Sequence, residues 1–406
     1  MKMKFIHIIC AFSGLLAVIG CYKTQSSTAD LANHNLIPAI HDEVSFISSV
    51  NNLRPCPWKF RLDKVNSQES LMSIQAKDSM LWTLDAAGVV FITSNRGKTW
   101  EKVRIDKPAD GKIMSVFFIN RMLGWAIVLD GPSDVLAPDS YSGTVLNTAD
   151  GGLSWQAQYA ARAIEPTRVL FINEHEGWII GNGVQKRDTL TRDFFVLHTI
   201  DGGNLWVDVS PSSNPDFVGE GGRDIYAVEP NHALVLTAGR KLFSTSDGGN
   251  NWRQQEAIKD EPPQTGLNRL GLLSSKLPWV LGGTGGREGS WTTLAVNRGE
   301  GTWVKFRLNN INLSDAVFTS DKEVIACGTF MPEQGISLDE NNNRVGVILY
   351  SSDQGRNWSI IHRNTLSKTI NALAAVDSNH IWAVGEDGLI IHLHCSAQNE
   401  LAFADK

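Results

Sequence analysis

Thr199-Ile-Asp201-Gly-Gly203-Asn-Leu-Trp206 is the stretch on which the fold turns, because its order of hydroxyl, acid, glycine and tryptophan returns along the 406-residue chain. Close copies are Thr93-Ser-Asn95-Arg-Gly97-Lys-Thr-Trp100, Thr148-Ala-Asp150-Gly-Gly152-Leu-Ser-Trp155, Thr245-Ser-Asp247-Gly-Gly249-Asn-Asn-Trp252 and Ser351-Ser-Asp353-Gln-Gly355-Arg-Asn-Trp358, and a decayed copy ends at Trp303. The closing tryptophans follow at intervals of 55, 51, 46, 51 and 55 residues. That period corresponds to one blade of a β-propeller per repeat. The local chemistry is that of a tight turn. The acid or amide accepts backbone N–H bonds, glycine supplies φ > 0, and the hydroxyl adds a further bond. Tryptophan then opens the next strand and packs back over the turn.

A second tryptophan series runs in phase with the first: Trp82, Trp125, Trp178, Trp279 and Trp382, with Leu234 and Val324 in the same slot of the remaining units. With Trp58, the two series absorb 12 of the 13 tryptophans and leave only Trp291 outside. The tryptophans are therefore read as architectural and not as a sugar-stacking platform. Each is able to bury roughly 150–250 Å², an upper bound of about 4–6 kcal/mol. The acids of the turns lie on different blades at the periphery, which excludes them as paired catalytic carboxylates.

Inner strands are expected at Leu71–Gln75, Ile113–Phe118, Arg168–Ile172, Asp224–Val228, Arg269–Leu273, Asp315–Thr319 and Asn371–Val376. Seven units thus stand against six acidic turns. The expected fold is all-β, a seven-bladed propeller of four-stranded antiparallel blades. The seventh unit stops after Gly388-Leu-Ile-Ile-His-Leu-His394, where its turn is due. Pro57-Trp58-Lys-Phe-Arg-Leu62 resembles the strand after a turn, such as Trp303-Val-Lys-Phe-Arg-Leu308. The N-terminal strand is therefore expected to complete the last blade and remove an open edge. Aligned on the Asp353 turn, Cys395 takes the place of Asp353 and Cys56 that of Arg356, so a Cys56–Cys395 disulfide is expected in place of the missing turn. Cys327 sits on an apolar strand and reads as a buried free thiol.

Lys2 and Lys4 precede an apolar run from Phe5 to Ile19 and then Val18-Ile-Gly-Cys21, a short signal sequence with the form of a bacterial lipoprotein processing site. Residues 1–20 are expected to be removed and Cys21 lipidated. Residues 21–45 read as a tether, 46–396 as the propeller and 397–406 as a tail. The expected location is extracytoplasmic, anchored by lipid to a bacterial membrane on the periplasmic or cell-surface side. A net charge of −6 and the lack of any basic run give no case for nucleic acid.

In such a ring the strand 2–3 connections share a face with the strand 4-to-1 connections, opposite the acidic turns. Those connections are long in unit two (Asp130 to Ser142), three (Asn182 to Asp193), five (Gly283 to Ser290) and six (Thr329 to Arg344). They carry the candidate contacts Asp134, Tyr141, Arg187, Arg192, Arg287 and Arg344. The same face receives Arg168, Arg223 and Arg269, near the starts of three consecutive inner strands, with Arg223 one residue earlier in register. Clustered there, they form a candidate site for a carboxylate or an acidic peptide. Pairing with neighbours such as Glu165 and Asp224 is the plainer alternative. His392-Leu-His394 has ligand-like spacing but reads as packed in the closing blade, and Gly282-Gly-Thr-Gly-Gly286 reads as a turn or loop. No catalytic, metal or cofactor motif is present: the chain lacks G-x-S-x-G, CxxC, HExxH and a phosphate loop.

The composite G-W-x-x-G … G-x-[IVL]-x-x-[TS]-x-D-G-G-x-x-W, seen at Gly177–Trp206 and in part at Gly124–Trp155, resembles the Asp-box (BNR-type) repeats of the photosystem II stability/assembly factor family and its exported bacterial relatives. The resemblance implies a seven-bladed, exported, non-enzymatic protein that assists assembly of membrane complexes. Together with the long loops and the Cys21 processing site, the expectation is a protein or glycan ligand held on the long-loop face by a monomer that meets the membrane only through its anchor. Sialidases and xyloglucanases carry the same boxes, so an Asp-box glycoside hydrolase is the alternative. A sialidase needs an arginine triad, which Arg168, Arg223 and Arg269 mimic, and a tyrosine–glutamate pair. Tyr226 lies on an inner strand without an evident Glu partner, while loop acids such as Asp130, Asp134, Asp139, Asp188 and Asp339 leave a two-acid mechanism open.

Overall fold

The short alternating stretches of the repeats become strands in the computed structural model, which describes residues 58–109, 111–131, 142–162, 164–185, 192–211, 221–255, 266–284, 291–299, 301–330, 345–364 and 369–395, with two further strands at Leu36–Ile37 and Ala39–Ile40. Blade one runs Leu71–Lys77, Met80–Asp85, Val89–Thr93 and Glu101–Arg104 in chain order, from the inner edge outward. The inner strands of blades two to seven are Lys112–Phe118, Glu165–Phe171, Gly222–Glu229, Gly266–Leu272, Ile311–Phe318 and Ile370–Asp377. Seven antiparallel sheets result, as the repeat count requires.

The seventh sheet is assembled from both ends of the chain. Its strands Ile370–Asp377, His380–Gly385 and Leu389–His394 are followed by Lys59–Lys64, in register from Lys59 opposite His394 to Lys64 opposite Leu389. This is the closure expected from Trp58-Lys-Phe-Arg-Leu62. Cys395, next along from His394, is disulfide-bonded, whereas Cys327 is a buried free thiol. Cys56 and Cys21 lie outside the described residues. Within the segment read as a tether, Leu36–Ile37 pairs with the outer strand Trp358–Arg363 of blade six, and Ala39–Ile40 with Trp303–Asn309 of blade five.

Hydrophobic burial is organised between blades, one cluster for each of the seven interfaces. Leu170, Ile180, Val196, Ile225, Val235 and Phe243 fill the gap between blades three and four, for example. The second-strand tryptophans reach across these gaps. Trp82 stacks on Phe118 of the next blade at 5.6 Å and Phe118 meets the edge of Trp155; Trp125, Phe171 and Trp206 repeat the relay. Trp125, Trp178 and Trp382 are fully buried. Glycine precedes the first two of these because a Cβ at Gly124 or Gly177 would stand 2.5 Å from the Phe118 or Phe171 ring. The stray Trp291 lies under the guanidinium of Arg307, 5.2 Å from its centroid.

Two register assignments differ from the sequence reading. In blade six the slot filled elsewhere by tryptophan belongs to Ile325, not Val324: Ile325 pairs with Tyr350 as Trp178 pairs with His198, each partner lying just before the turn hydroxyl. Gly282 and Gly283 belong to the strand Pro278–Gly283 and not to a turn. A side chain at Gly282 would place its Cβ 2.0 Å from the Gly266 carbonyl oxygen, so the inner strand approaches too closely for any other residue.

Candidate functional site

Every inner strand carries a one-residue β-bulge at the same place. The register shifts between Leu71 and Ser73, Ile113 and Ser115, Pro166 and Arg168, Gly222 and Asp224, Leu267 and Arg269, Leu313 and Asp315, and Ile370 and Ala372. A bulge re-aims the side chains beside it. The residue after the bulge is charged in four consecutive blades, in the order Arg168, Asp224, Arg269, Asp315. The pairing of Arg168 with Ile180, two residues before Asn182, places this level on the long-loop face.

The carboxylates are the hubs. Asp224, 1% exposed, accepts N–H bonds from Ile225 at 2.9 Å and from Leu270 of blade five at 2.8 Å, and it also receives Arg168 Nη1 from blade three. Asp315 repeats this with Ala316 N at 3.0 Å and Leu373 N of blade seven at 3.0 Å, facing Arg269 Nε at 3.5 Å. Each acid thereby ties three blades together. Burial pushes the Asp315 carboxyl up against the opposing pull of Arg269, and the Asp315 charge in turn holds the Arg269 guanidinium above its usual range. No charged residue follows the bulge in blades one, two and seven, and neutral groups bond across those interfaces beside the inner strands. Gln75 exchanges two bonds with the Phe118 backbone at 2.8 and 2.9 Å, Ser115 Oγ accepts from Val169 N at 3.3 Å, and Asn371 Nδ2 donates to the Leu71 carbonyl at 3.0 Å.

The three candidate arginines are therefore not alike. Arg168 and Arg269 hold equivalent positions and are each engaged by an acid, with 37% and 35% of the side chain still exposed at the channel mouth. Arg223 lies one residue earlier, as the spacing implied, and so occupies the bulge itself, where it is exposed. The position matching Arg168 in blade four belongs to Asp224. Asp315, the second hub, was missed in the sequence although it stands at the same count back from its strand glycine. Tyr226, two residues beyond Asp224, has its hydroxyl pKa raised by burial, with the Asp224 charge adding to this and Arg168 opposing it. Asp134, Tyr141, Arg187, Arg287 and Arg344 lie outside the described residues, and Arg192 opens the third strand of blade three.

On the opposite rim the turns have the chemistry expected of them. In the Asp201 turn Thr199 Oγ1 donates to Asp201 Oδ1 at 2.9 Å and accepts from Gly203 N at 2.9 Å, and Leu205 N donates to Asp201 Oδ1 at 2.9 Å. The Asn95, Asp150, Asp247 and Asp353 turns repeat this set. The Ser154 hydroxyl leads the bonds that lower the Asp150 carboxyl to about 2, and backbone and amide donors lower Asp201 and Asp247. Trp100, Trp155 and Trp252 are half-buried behind their turns, while Trp206 and Trp358 are buried.

The histidines of the closing blade are packed, as expected. His392 stacks on Trp382 at 4.0 Å, with the His380 and His394 rings at 5.7 and 5.3 Å. Among the described residues no group of three or more potential ligands is placed to hold a metal. Burial, then Arg61, His394, His380 and Arg96, push the His392 pKa down to about 4. Because the folded value lies below the unfolded one, stability is full above about pH 6.5 and falls as pH drops toward 4. The loss is expected to reach about 2 kcal/mol at pH 5. Urea titrations at pH 7.5 and 5 check this, and His392→Phe, which keeps the stack, is expected to remove the His392 share of the difference, leaving that of His198 and His362, whose pKa values burial also lowers.

No helix among the described residues is long and apolar enough to cross a membrane. No curated protein matches the sequence. Among solved structures, the fold is similar to one described as "YCF48 bound to D1 peptide", at TM-score 0.58 and 15% identity, over 86% of this chain and 100% of that one. It is likewise similar to YCF48 from Cyanidioschyzon merolae, at TM-score 0.56 and 15% identity, over 82% and 98% of the two chains. The family model described as "Photosynthesis system II assembly factor YCF48" matches residues 140–261, the span of the Asp150, Asp201 and Asp247 turns, so that the chain resembles an assembly-factor propeller in both repeat sequence and fold.

Proposed function

We propose that this protein is a non-catalytic binding scaffold that holds a polypeptide segment of a membrane-complex subunit on its long-loop face. The match of the assembly-factor model to residues 140–261 carries the reading. The peptide in the similar YCF48 structure supports a polypeptide over a glycan as ligand. Asp224 and Asp315 are engaged by backbone N–H groups and arginines, an arrangement suited to holding the ring and not to general acid–base chemistry. Arg168, Arg223 and Arg269 are proposed to meet acidic groups of the bound segment. Arg223→Glu is the discriminating change, because Arg223 is exposed whereas Arg168 also neutralises Asp224. Affinity for an acidic peptide immobilised on a sensor is expected to fall at least about tenfold with the melting temperature unchanged. Unaltered affinity for Arg223→Glu and Arg269→Glu together would remove the arginines from the site.

We further propose that the scaffold is a monomer anchored on the extracytoplasmic side through lipid on Cys21. Lys2, Lys4, the apolar Phe5–Ile19 run and Val18-Ile-Gly-Cys21 support this. Cys21→Ser is expected to abolish labelling by tritiated palmitate and to shift the protein from the membrane to the soluble fraction. Equal labelling of the variant would exclude the anchor.

A further inference from the structure

The five regular turns offer the same three outward positions, exposed except for half-buried Ser352 and Asn357, and large apolar occupants are confined to one sector. After the hydroxyl stand Ser94, Ala149, Ile200, Ser246 and Ser352; after the glycine, Lys98, Leu153, Asn204, Asn250 and Arg356; then Thr99, Ser154, Leu205, Asn251 and Asn357. Large apolar side chains therefore enter only in blades two and three. Leu153 is 81% exposed, Ile200 71% and Leu205 62%, and Met122 and Val207 beside them are half-exposed. None is needed by the turn, since the other copies close the same hydrogen bonds with polar residues.

The Asp201 turn is fixed to blade two. Trp125 Nε1 and Gln158 Nε2 of blade two donate to the Gly202 carbonyl of blade three at 3.2 and 3.1 Å, and Asn120 Nδ2 donates to Glu174 Oε1 at 3.1 Å. Met122 is held against the Asp150 turn by the Gly151 N–H to its carbonyl at 2.8 Å. Carboxylates belong to the same rim: Asp150 and Asp201 sit within the two turns and are ionised at neutral pH, exposed Glu174 accepts from Asn120 between them, and exposed Asp208 follows Val207 on the outer strand. The nearby Arg121 is neutralised by Glu101 at 2.7 Å.

We infer that this rim of blades two and three is a second docking surface, and that its occupant is an amphipathic protein segment presenting apolar side chains among lysines or arginines. Preorganised apolar groups within an acidic border match such a segment in both hydrophobicity and charge. An anionic lipid surface is repelled by the same carboxylates, and a two-fold contact with another copy sets acid against acid. The surface lies on the face opposite Arg168 and Arg269, so its occupant is distinct from one held at the channel mouth.

The test uses a fluorescent leucine–lysine helical peptide about five turns long, its leucine–glutamate counterpart, and vesicles of neutral and anionic lipid. The full protein is compared with a triple variant, Leu153→Asn, Ile200→Ser and Leu205→Asn, which installs residues the chain already uses in its other turns. Wild type is expected to bind the leucine–lysine peptide, with binding weakened by salt, and the variant to bind at least about tenfold more weakly with an unchanged melting temperature. The leucine–glutamate peptide is expected not to bind. Equal binding by wild type and variant overturns the proposal. So does variant-sensitive binding to vesicles without peptide, which identifies a lipid surface, or a concentration-dependent dimer that the variant abolishes, which identifies a second copy.

Discussion

Replacing Cys395 by serine is expected to lower the stability of the oxidised protein by about 5 kcal/mol and to make it equal to wild type under reducing conditions. Cys395 is disulfide-bonded, and Cys327 is buried and free. The register from Lys59 opposite His394 sets Trp58 level with Cys395. Cys56 is two residues from Trp58, at most about 7 Å of chain, and is the partner we expect. The magnitude follows from loop length. A bridge between residues 56 and 395 closes nearly the whole propeller into one loop, and the entropy withdrawn from the unfolded chain grows with the logarithm of that loop. A six-residue strand otherwise holds the ring shut, so the bridge acts where the chain ends would fray first. Urea unfolding with and without dithiothreitol measures it, with Cys56→Ser expected to match Cys395→Ser. A reductant-insensitive midpoint in the wild type would show that the sulfur link contributes nothing.

Blade number and closure were legible in the sequence because they rest on large, periodic signals. The tryptophan period is set by whole blades, and Trp58-Lys-Phe-Arg-Leu62 carries the pattern of a strand following a turn. The candidate site was less legible because it depends on single-residue register. The count back already set Arg223 one residue out of step with Arg168, and the bulge between Gly222 and Asp224 agrees, but nothing in the count marks the adjacent Asp224 as the buried hub. Counting back from a tryptophan slot works in blades three and five, where the tryptophan is present. It fails in blade six, where Val324 and Ile325 are equally apolar and only the pairing of Ile325 with Tyr350 separates them. The error there hid Asp315, which completes the alternation of charge. The apolar rim was visible in the aligned turns, but its exposure was not, since leucine and isoleucine beside a tryptophan read naturally as core.

Asp224→Ala is expected to cost about 3–5 kcal/mol, the largest loss from any single side chain of the inner belt. The change leaves the Ile225 and Leu270 N–H groups without their acceptor and Arg168 without its counter-ion, at a position only 1% exposed. Asp224→Asn keeps one acceptor oxygen and is expected to cost less, about 1–3 kcal/mol. Asp315→Ala makes the internal control. Its hydrogen bonds are equivalent, but the carboxylate is 18% exposed and its arginine stands at 3.5 Å, so water is able to take over part of the lost contact. The expected order is therefore Asp224→Ala, then Asp315→Ala, then Asp224→Asn. Arg168→Met tests the pair from the other side. Because Asp224 keeps both N–H donors, losing the arginine costs less than losing the acid, and a double-mutant cycle between the two positions reads their coupling directly. Denaturant midpoints at constant m-value supply the measurements. If Asp224→Ala unfolds at the wild-type midpoint, the belt is not what joins blades three, four and five, and hydrophobic contacts such as Ile180 with Ile225 hold those interfaces alone.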